Sequence, residues 1–500
     1  MCFKYFLATL CRYFFNQTNQ HFYLLLILAY KKENLIMYNK KAHIHFVGIG
    51  GIGMSGIATI LTLQGYTISG CDLDINQKSI KNLKSLGCTI YHGNNTPSCA
   101  DSSIDILVYS SAISAHNEEI MRAQKRCIPT IPRALMLAEL MRTKYSIAIA
   151  GSHGKTTTTS LISHILIETK MDPTVIIGGH LTSISSNARF GNGDFLVAEA
   201  DESDRSLLNL QATLALITNI DLEHLETYKD IEDITQTFRQ FLNNLLFYGK
   251  AFLCTDDPLI RSLLPIPHIK TVSYSLNEES DFYATNINLL ANKTLFDAYH
   301  KKIFLGTISM NLLGRHNVLN TLGALALCTD LHIPFAATQK AIASFNGVER
   351  RFSYRGTYKD SEVFEDYGHH PKEITCTLEV ANRRTNNSLI VVFQPHRYSR
   401  TFFLWDDFVK TFAQSSIKTL IITDIYGASE APLNAINALN LVAAIKNSNP
   451  YLNVLYAPLE QNFSTIIAQI DQSIEKNDLI LLLGAGKINQ IIPFFQSKKA

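Results

Sequence analysis

The segment Tyr145–Ser160, YSIAIAGSHGKTTTTS, constrains this chain more than any other. An apolar run reads as a buried strand, and a helix follows the glycine-bearing turn. That layout turns free backbone amides and one ammonium group toward a phosphate. Gly151 and Gly154 permit the loop, with Ser152, His153 and Thr157 completing it. Lys155 is expected to reach phosphate oxygens, and Thr156 to offer an oxygen to magnesium. The strict Walker spacing is not met, because Ile149 stands five residues before Gly154, where a glycine would be.

A second glycine-rich turn lies upstream. VGIGGIGMSG places Gly48, Gly50 and Gly53, with Gly51 among them, between an apolar run and a helical pattern. Glycines there allow a sharp turn and close approach to a pyrophosphate. Asp72 ends the next strand, where an acid would meet a ribose. Taken alone, this turn suits a nicotinamide dinucleotide as well as a UDP-sugar. Two phosphate turns in one chain argue for ATP plus a second nucleotide-bearing substrate. A hydride-transfer enzyme needs only the first.

Strand and helix patterns alternate from His43 onward, which predicts parallel sheets covered on both faces. At 500 residues, about three domains are expected. The fold class is α/β: a Rossmann-like domain at 38–141, a central P-loop domain at 142–344 and a second Rossmann-like domain at 345–500. The stretch from Ser280 to Ser309 alternates as antiparallel strands do. Residues 1–37 stand apart as an aromatic, apolar extension of doubtful status. Its run from Phe22 to Tyr30 is too short to span a bilayer, and synthesis starting at Met37 would omit most of it.

The formal charge of +2 offers no surface for nucleic acid and no polybasic membrane patch, so neither a nucleic-acid partner nor stable membrane insertion is expected. Nine scattered cysteines without a CxxC pair read as reduced thiols, which points to the cytoplasm. VAEADESD and TNIDLEHLE each bring acids to a predicted strand end. Glu199 and His224 are candidates for magnesium, whereas Glu202 and Asp204 read as a solvated helix start.

HFVGIGGIGMSGIA, YSSAI, GSHGKTTTT, EADESD, TNIDLEHLETY, GRHNVLN, GVERRF, DYGHHPKEI and FQPHRYSRT follow one another in an order that resembles the Mur ligase family. The resemblance runs from about His43 to the C-terminus. It implies ATP-dependent joining of L-alanine to the muramyl carboxylate of UDP-N-acetylmuramic acid, through an acyl phosphate, by a monomer or homodimer. A ligase adding a preformed tripeptide to the same UDP-sugar is the alternative, and PHRYSRT speaks against it.

The resemblance places Gly48, Gly50, Gly51, Gly53, Asp72, Ser110 and Ser111 around the UDP-sugar. It places Gly151 to Thr157, Asn317 and Asn320 around ATP, and Thr156, Glu199 and His224 around Mg2+. Lys155, Arg351, Asp366 and His369 would be catalytic, with Arg350 a competitor for the arginine role. Tyr367, His369, Arg397 and Arg400 would face the amino acid. Glu365 and Glu223 depart from the family pattern, which favours Asp at both positions.

Overall fold

The computed structural model describes residues 42–93, 103–114, 116–181, 186–428 and 430–497; the extension at 1–37 lies outside them. Three sheets carry the chain. The first has five parallel strands in the order Thr89–His92, Thr67–Asp72, His43–Val47, Ile106–Tyr109, Thr130–Pro132. This is the doubly wound order, and its glycine turn leaves the central strand His43–Val47 at the carboxyl edge, where ligands bind in such sheets.

The second sheet has ten strands. Tyr145–Ala150 lies inside it, flanked in parallel by Phe195–Glu199 and Leu214–Ile217. From Phe282 to Met310 three strands run antiparallel, as the alternation predicts. An unforeseen hairpin, Thr174–Leu181 with Ser186–Arg189, closes the opposite edge. It packs on the first unit: Asn187 Nδ2 donates to Ile52 O at 2.6 Å and to Ser55 Oγ at 3.1 Å.

In the third sheet Leu479–Leu483 and Leu389–Phe393 are buried along their whole length. Leu479, Leu481 and Leu483 join one apolar cluster, and Ile480 and Leu482 join another. Successive side chains leave a strand on opposite faces, so a continuous apolar run needs cover on both. The antiparallel Ser353–Tyr358 lies at one edge of this sheet.

The apolar core of the first unit continues into that of the second, from Ala42 to Val348, while the third unit has cores of its own. The crossing is short. Phe345 and Val348 anchor in the shared core, and Phe352 stacks on Phe364 of the third unit at 4.4 Å. Between them Gly347 and Arg350 take positive φ of 85° and 61°.

Candidate active site

The central strand Tyr145–Ala150 delivers the phosphate loop, and the helix Lys155–Glu168 leaves from it. Asn219 fixes the loop by taking Ser152 N on its carbonyl at 3.0 Å and His153 N on Oδ1 at 2.8 Å. Thr218 Oγ1 donates to His153 O at 2.6 Å. Gly154 has φ 83°, and a Cβ there would stand 2.9 Å from Asn320 Oδ1. Asn320 and Asn317 are themselves paired at 3.1 Å on the helix Arg315–Asp330, so both asparagines reach the loop region together.

Lys155 Nζ folds back onto Gly151 O and, at 2.7 Å, onto Glu202 Oε1. Burial disfavours its charge, but Glu202 outweighs that and moves the ammonium pKa up. Glu202 is therefore not the solvated acid its sequence neighbourhood suggests: its side chain is 1% exposed. The physical reason is pairing with a lysine that lies 47 residues earlier in the chain. Asp204 does remain exposed, with its Oδ1 accepting Ser206 N at 3.0 Å.

The three expected magnesium ligands divide into two groups. Thr156 Oγ1 meets Glu199 Oε2 at 3.3 Å. His224 Nε2 instead lies 3.7 Å from Glu202 and 3.6 Å from Glu223. Burial raises the Glu199 pKa, with the Gly178 amide and Lys155 opposing. Glu202 Oε2 and Glu223 Oε1 are buried without a hydrogen-bond partner. Buried carboxylate oxygens left in this way suit a hard divalent cation, which takes oxygen donors. Glu223, the departure from the family pattern, therefore stands within this cluster and not apart from it.

The third unit closes over the loop from the other side. His153 Nε2 sits 3.0 Å from Asp221, and its Nδ1 sits 3.3 Å from Glu373. Burial opposes the imidazolium, yet Asp221 and Glu373, aided by Glu223, hold its pKa up to about 10. Lys372 Nζ donates to Asp221 at 2.7 Å, and Arg397 Nη1 to Glu226 at 2.7 Å. Beside His153, Asp221, Lys372 and Glu373 lies a cavity of about 970 Å3, lined also by Gly154, Asn317, Asn320, His316, Arg351 and Asp366. His316 was not singled out in the sequence; burial, with Arg351 nearby, takes its pKa down to about 4.

Two neighbouring arginines separate clearly. Arg350 is tied to Gly484 O and Gly486 O at 3.0 and 3.3 Å and to Glu365 at 2.7 Å, so it staples the crossing segment to the third sheet. Glu365 is thereby occupied by Arg350 and Arg355. Arg351 lines the cavity and lies 3.7 Å from Glu373. Asp366 accepts Phe352 N at 2.8 Å and Gly368 N at 2.7 Å, tying the crossing segment to the loop that carries Tyr367 and His369. Both arginines lie over the Tyr367 ring, at 4.8 and 5.4 Å.

His369 Nδ1 lies 3.1 Å from Tyr367 O, which can only accept, so this nitrogen carries the proton and Nε2 keeps its lone pair. Burial takes the His369 pKa down to about 4, leaving the ring neutral near pH 7. His396 stands 5.6 Å away, and Arg400 Nη1 lies 3.1 Å from His396 Nδ1. Arg397 and Arg400 share a crevice with Glu223, His224 and Glu226.

At the first glycine turn Gly48 has φ 80°. Asp72 braces the turn by accepting Gly50 N at 2.8 Å and Asp74 N at 3.0 Å, so any ribose contact would share these oxygens. Ser110 N donates to Val47 O at 3.2 Å, holding Ser110 beside the turn, while Ser111 is exposed. A Cβ on Gly53 would stand 3.1 Å from Arg133, whose guanidinium bonds Asp201 at 3.3 Å. Asp201 follows the strand that ends in Glu199. One strand end thus links the glycine turn, through Arg133, to the acids beside the phosphate loop.

A phosphate loop facing buried acids, joined to a second glycine turn and closed by a third α/β unit, defines an ATP-dependent ligase. The chain matches the family descriptions "Mur ligase family, catalytic domain" over residues 43–145, "Mur ligase middle domain" over 149–328 and "Mur ligase, glutamate ligase domain" over 350–486. It belongs to the Mur ligase family. A UDP-N-acetylmuramate–L-alanine ligase of Geotalea uraniireducens is 47% identical over 455 residues, covering 91% of this chain and 97% of the relative. The crystal structure of a UDP-N-acetylmuramate-alanine ligase from Thermotoga maritima superposes with a TM-score of 0.75 at 25% identity, covering 91% and 99% of the two chains. A murein peptide ligase from Psychrobacter arcticus shares the fold, with a TM-score of 0.65 at 21% identity over 91% and 98%.

Proposed function

We propose that this protein joins L-alanine to the muramyl carboxylate of UDP-N-acetylmuramic acid, with ATP converted to ADP and phosphate. The observation that carries this is the 47% identity, over 91% of the chain, to a relative named for that reaction. The domains divide near 142 and 345: the first holds the UDP-sugar, the second ATP, the third the amino acid. No helix among the described residues is long and apolar enough to cross a membrane, in keeping with work in the cytoplasm on ATP and a UDP-sugar.

Amide formation from a carboxylate in water is uphill, so the acid is activated first. A muramyl carboxylate oxygen attacks the γ-phosphorus of ATP; the bond to the bridging β,γ-oxygen breaks, giving ADP and an acyl phosphate. Lys155, turning from Glu202 to the phosphates, offsets the charge spread over the transferring group. Thr156 with Glu199 on one side, and His224 with Glu202 and Glu223 on the other, would hold magnesium, which would supply further charge neutralisation. Arg351 faces the same cavity and is placed to bind the acyl phosphate. The alanine amine then attacks the acyl carbon, and the tetrahedral species expels phosphate as its nitrogen loses a proton. Neutral His369 accepts a hydrogen bond from that amine on Nε2. Arg397 and Arg400 are suited to the alanine carboxylate. Acyl phosphates hydrolyse, so closure at the 345–352 crossing keeps water from the intermediate.

Phosphate release, followed with UDP-N-acetylmuramic acid while the amino component is varied, tests the assignment. L-Alanine is expected to support turnover, and L-alanyl-γ-D-glutamyl-diaminopimelate to give none. Turnover with that tripeptide and none with free L-alanine would reverse it.

A further inference from the structure

One carboxylate outside the residues assigned above touches both the phosphate loop and the loop that carries His369. Glu373 lies in the first turn of the helix Pro371–Arg384 and completes a capping box with His370. Its Oε2 accepts His369 N at 3.1 Å and His370 N at 3.4 Å. Its Oε1 faces His153 Nδ1 of the phosphate loop at 3.3 Å and Arg351 Nη1 at 3.7 Å. The two oxygens therefore serve two sides: one fixes the backbone that presents His369, and the other holds two cations beside the nucleotide cavity.

A cap alone needs neither a charge nor a second unit of the chain. Glutamine caps as glutamate does, because its carbonyl oxygen accepts the same amide bonds. Yet the Glu373 side chain is 12% exposed and carries its charge indoors, which is costly without partners. Burial opposes its ionisation, and near pH 7 the charged His153 and Arg351 outweigh that, keeping the carboxyl well below its usual range. The groups facing His153 are Asp221, Glu223, Glu373 and the His370 ring at 4.9 Å. Of these acids, Glu373 alone comes from the third unit.

We propose that Glu373 is a positioning residue that couples the phosphate loop to the amino-acid loop, holding His153 and Arg351 toward the nucleotide with one oxygen and His369 toward the amine with the other. The nucleotide half rests on the family's use of ATP; the amine half rests on the function proposed above. Closure of the third unit then fixes the His153 cation already on the phosphate loop and brings Arg351 and one amine-binding ring to it in a single movement.

Glu373→Gln separates coupling from capping, since it keeps the backbone acceptor and removes the charge. It is expected to fold and melt below the parent but above Glu373→Ala, since His153 and Arg351 lose a buried partner. It should bind ATP about tenfold more weakly by titration calorimetry, the scale of one charged hydrogen bond, and show a raised KM for L-alanine. Glu373→Ala should lose the cap as well. ATP affinity and alanine KM both at parental values in Glu373→Gln would leave only the cap and overturn the coupling. So would a change in one of them without the other, or a Glu373→Gln protein that no longer folds. If the parent itself releases no phosphate with L-alanine, the proposed function fails, while the calorimetric comparison still decides whether Glu373 serves the phosphate loop.

Discussion

Lys155→Ala lowers phosphate release with UDP-N-acetylmuramic acid and L-alanine by about 10²–10³-fold, the usual cost of removing one preorganised charge from a transferring group. The loop backbone survives the change, because Asn219 and Thr218 hold it independently of the lysine. Stability also falls: Glu202, 1% exposed, loses its nearest partner and keeps only His224 at 3.7 Å. Breaking a buried pair from one side costs roughly 3–5 kcal/mol. The double variant Lys155→Met with Glu202→Gln separates these effects. Its melting temperature should recover toward the parent while phosphate release stays at the level of the single variant. Parental turnover in Lys155→Ala would show that this loop does not drive the chemistry.

Gly151→Ala is expected to be the most damaging single methyl in the chain's phosphate loop. Gly151 has φ 130°, and its added Cβ would lie 2.1 Å from Thr218 Oγ1, 3.0 Å from Asn219 O and 3.1 Å from Asn219 N. Those are the groups that shape the loop, so relief by moving them disrupts His153 and Ser152 as well. Backbone strain and overpacking each cost about 1–3 kcal/mol, and their sum is a large part of the roughly 5–15 kcal/mol that stabilises a domain. Gly65→Ala is the control, with φ 93° but nothing within 4 Å of the new carbon. Denaturant midpoints should fall much further for Gly151→Ala, with ATP binding lost. Equal midpoints would mean that the loop yields cheaply.

Both glycine turns were legible from the sequence because each is a local device: apolar run, glycines, helix. The strands Leu389–Phe393 and Leu479–Leu483 are equally local: each is an unbroken apolar run, LIVVF and LILLL. What escaped was mostly long-range. Glu202 reads as solvent-facing beside Asp201 and Asp204, and only its ion pair with Lys155 reveals otherwise. The hairpin Thr174–Leu181 with Ser186–Arg189 was missed; its register shifts, and its place is set by contacts to the first unit as much as by its own pattern. Arg133 has no local motif at all; its meaning comes from Asp201, 68 residues away. Glu373 did carry a signal, a glutamate three residues into a proline-started helix, but a histidine stands where the capping serine or threonine usually would. Arg350 and Arg351 are the same residue type, and only the family resemblance favours Arg351; in the structure Arg350 is set apart by the carbonyls of Gly484 and Gly486.

The uninterrupted apolar core from Ala42 to Val348 also bears on how the molecule melts. Two sheets that share one interior should lose their order in a single endotherm, leaving the last sheet, joined mainly through polar contacts, to give a second. A calorimetric scan would then resolve two transitions from three architectural units, and a nucleotide gripped from both sides should draw the peaks together.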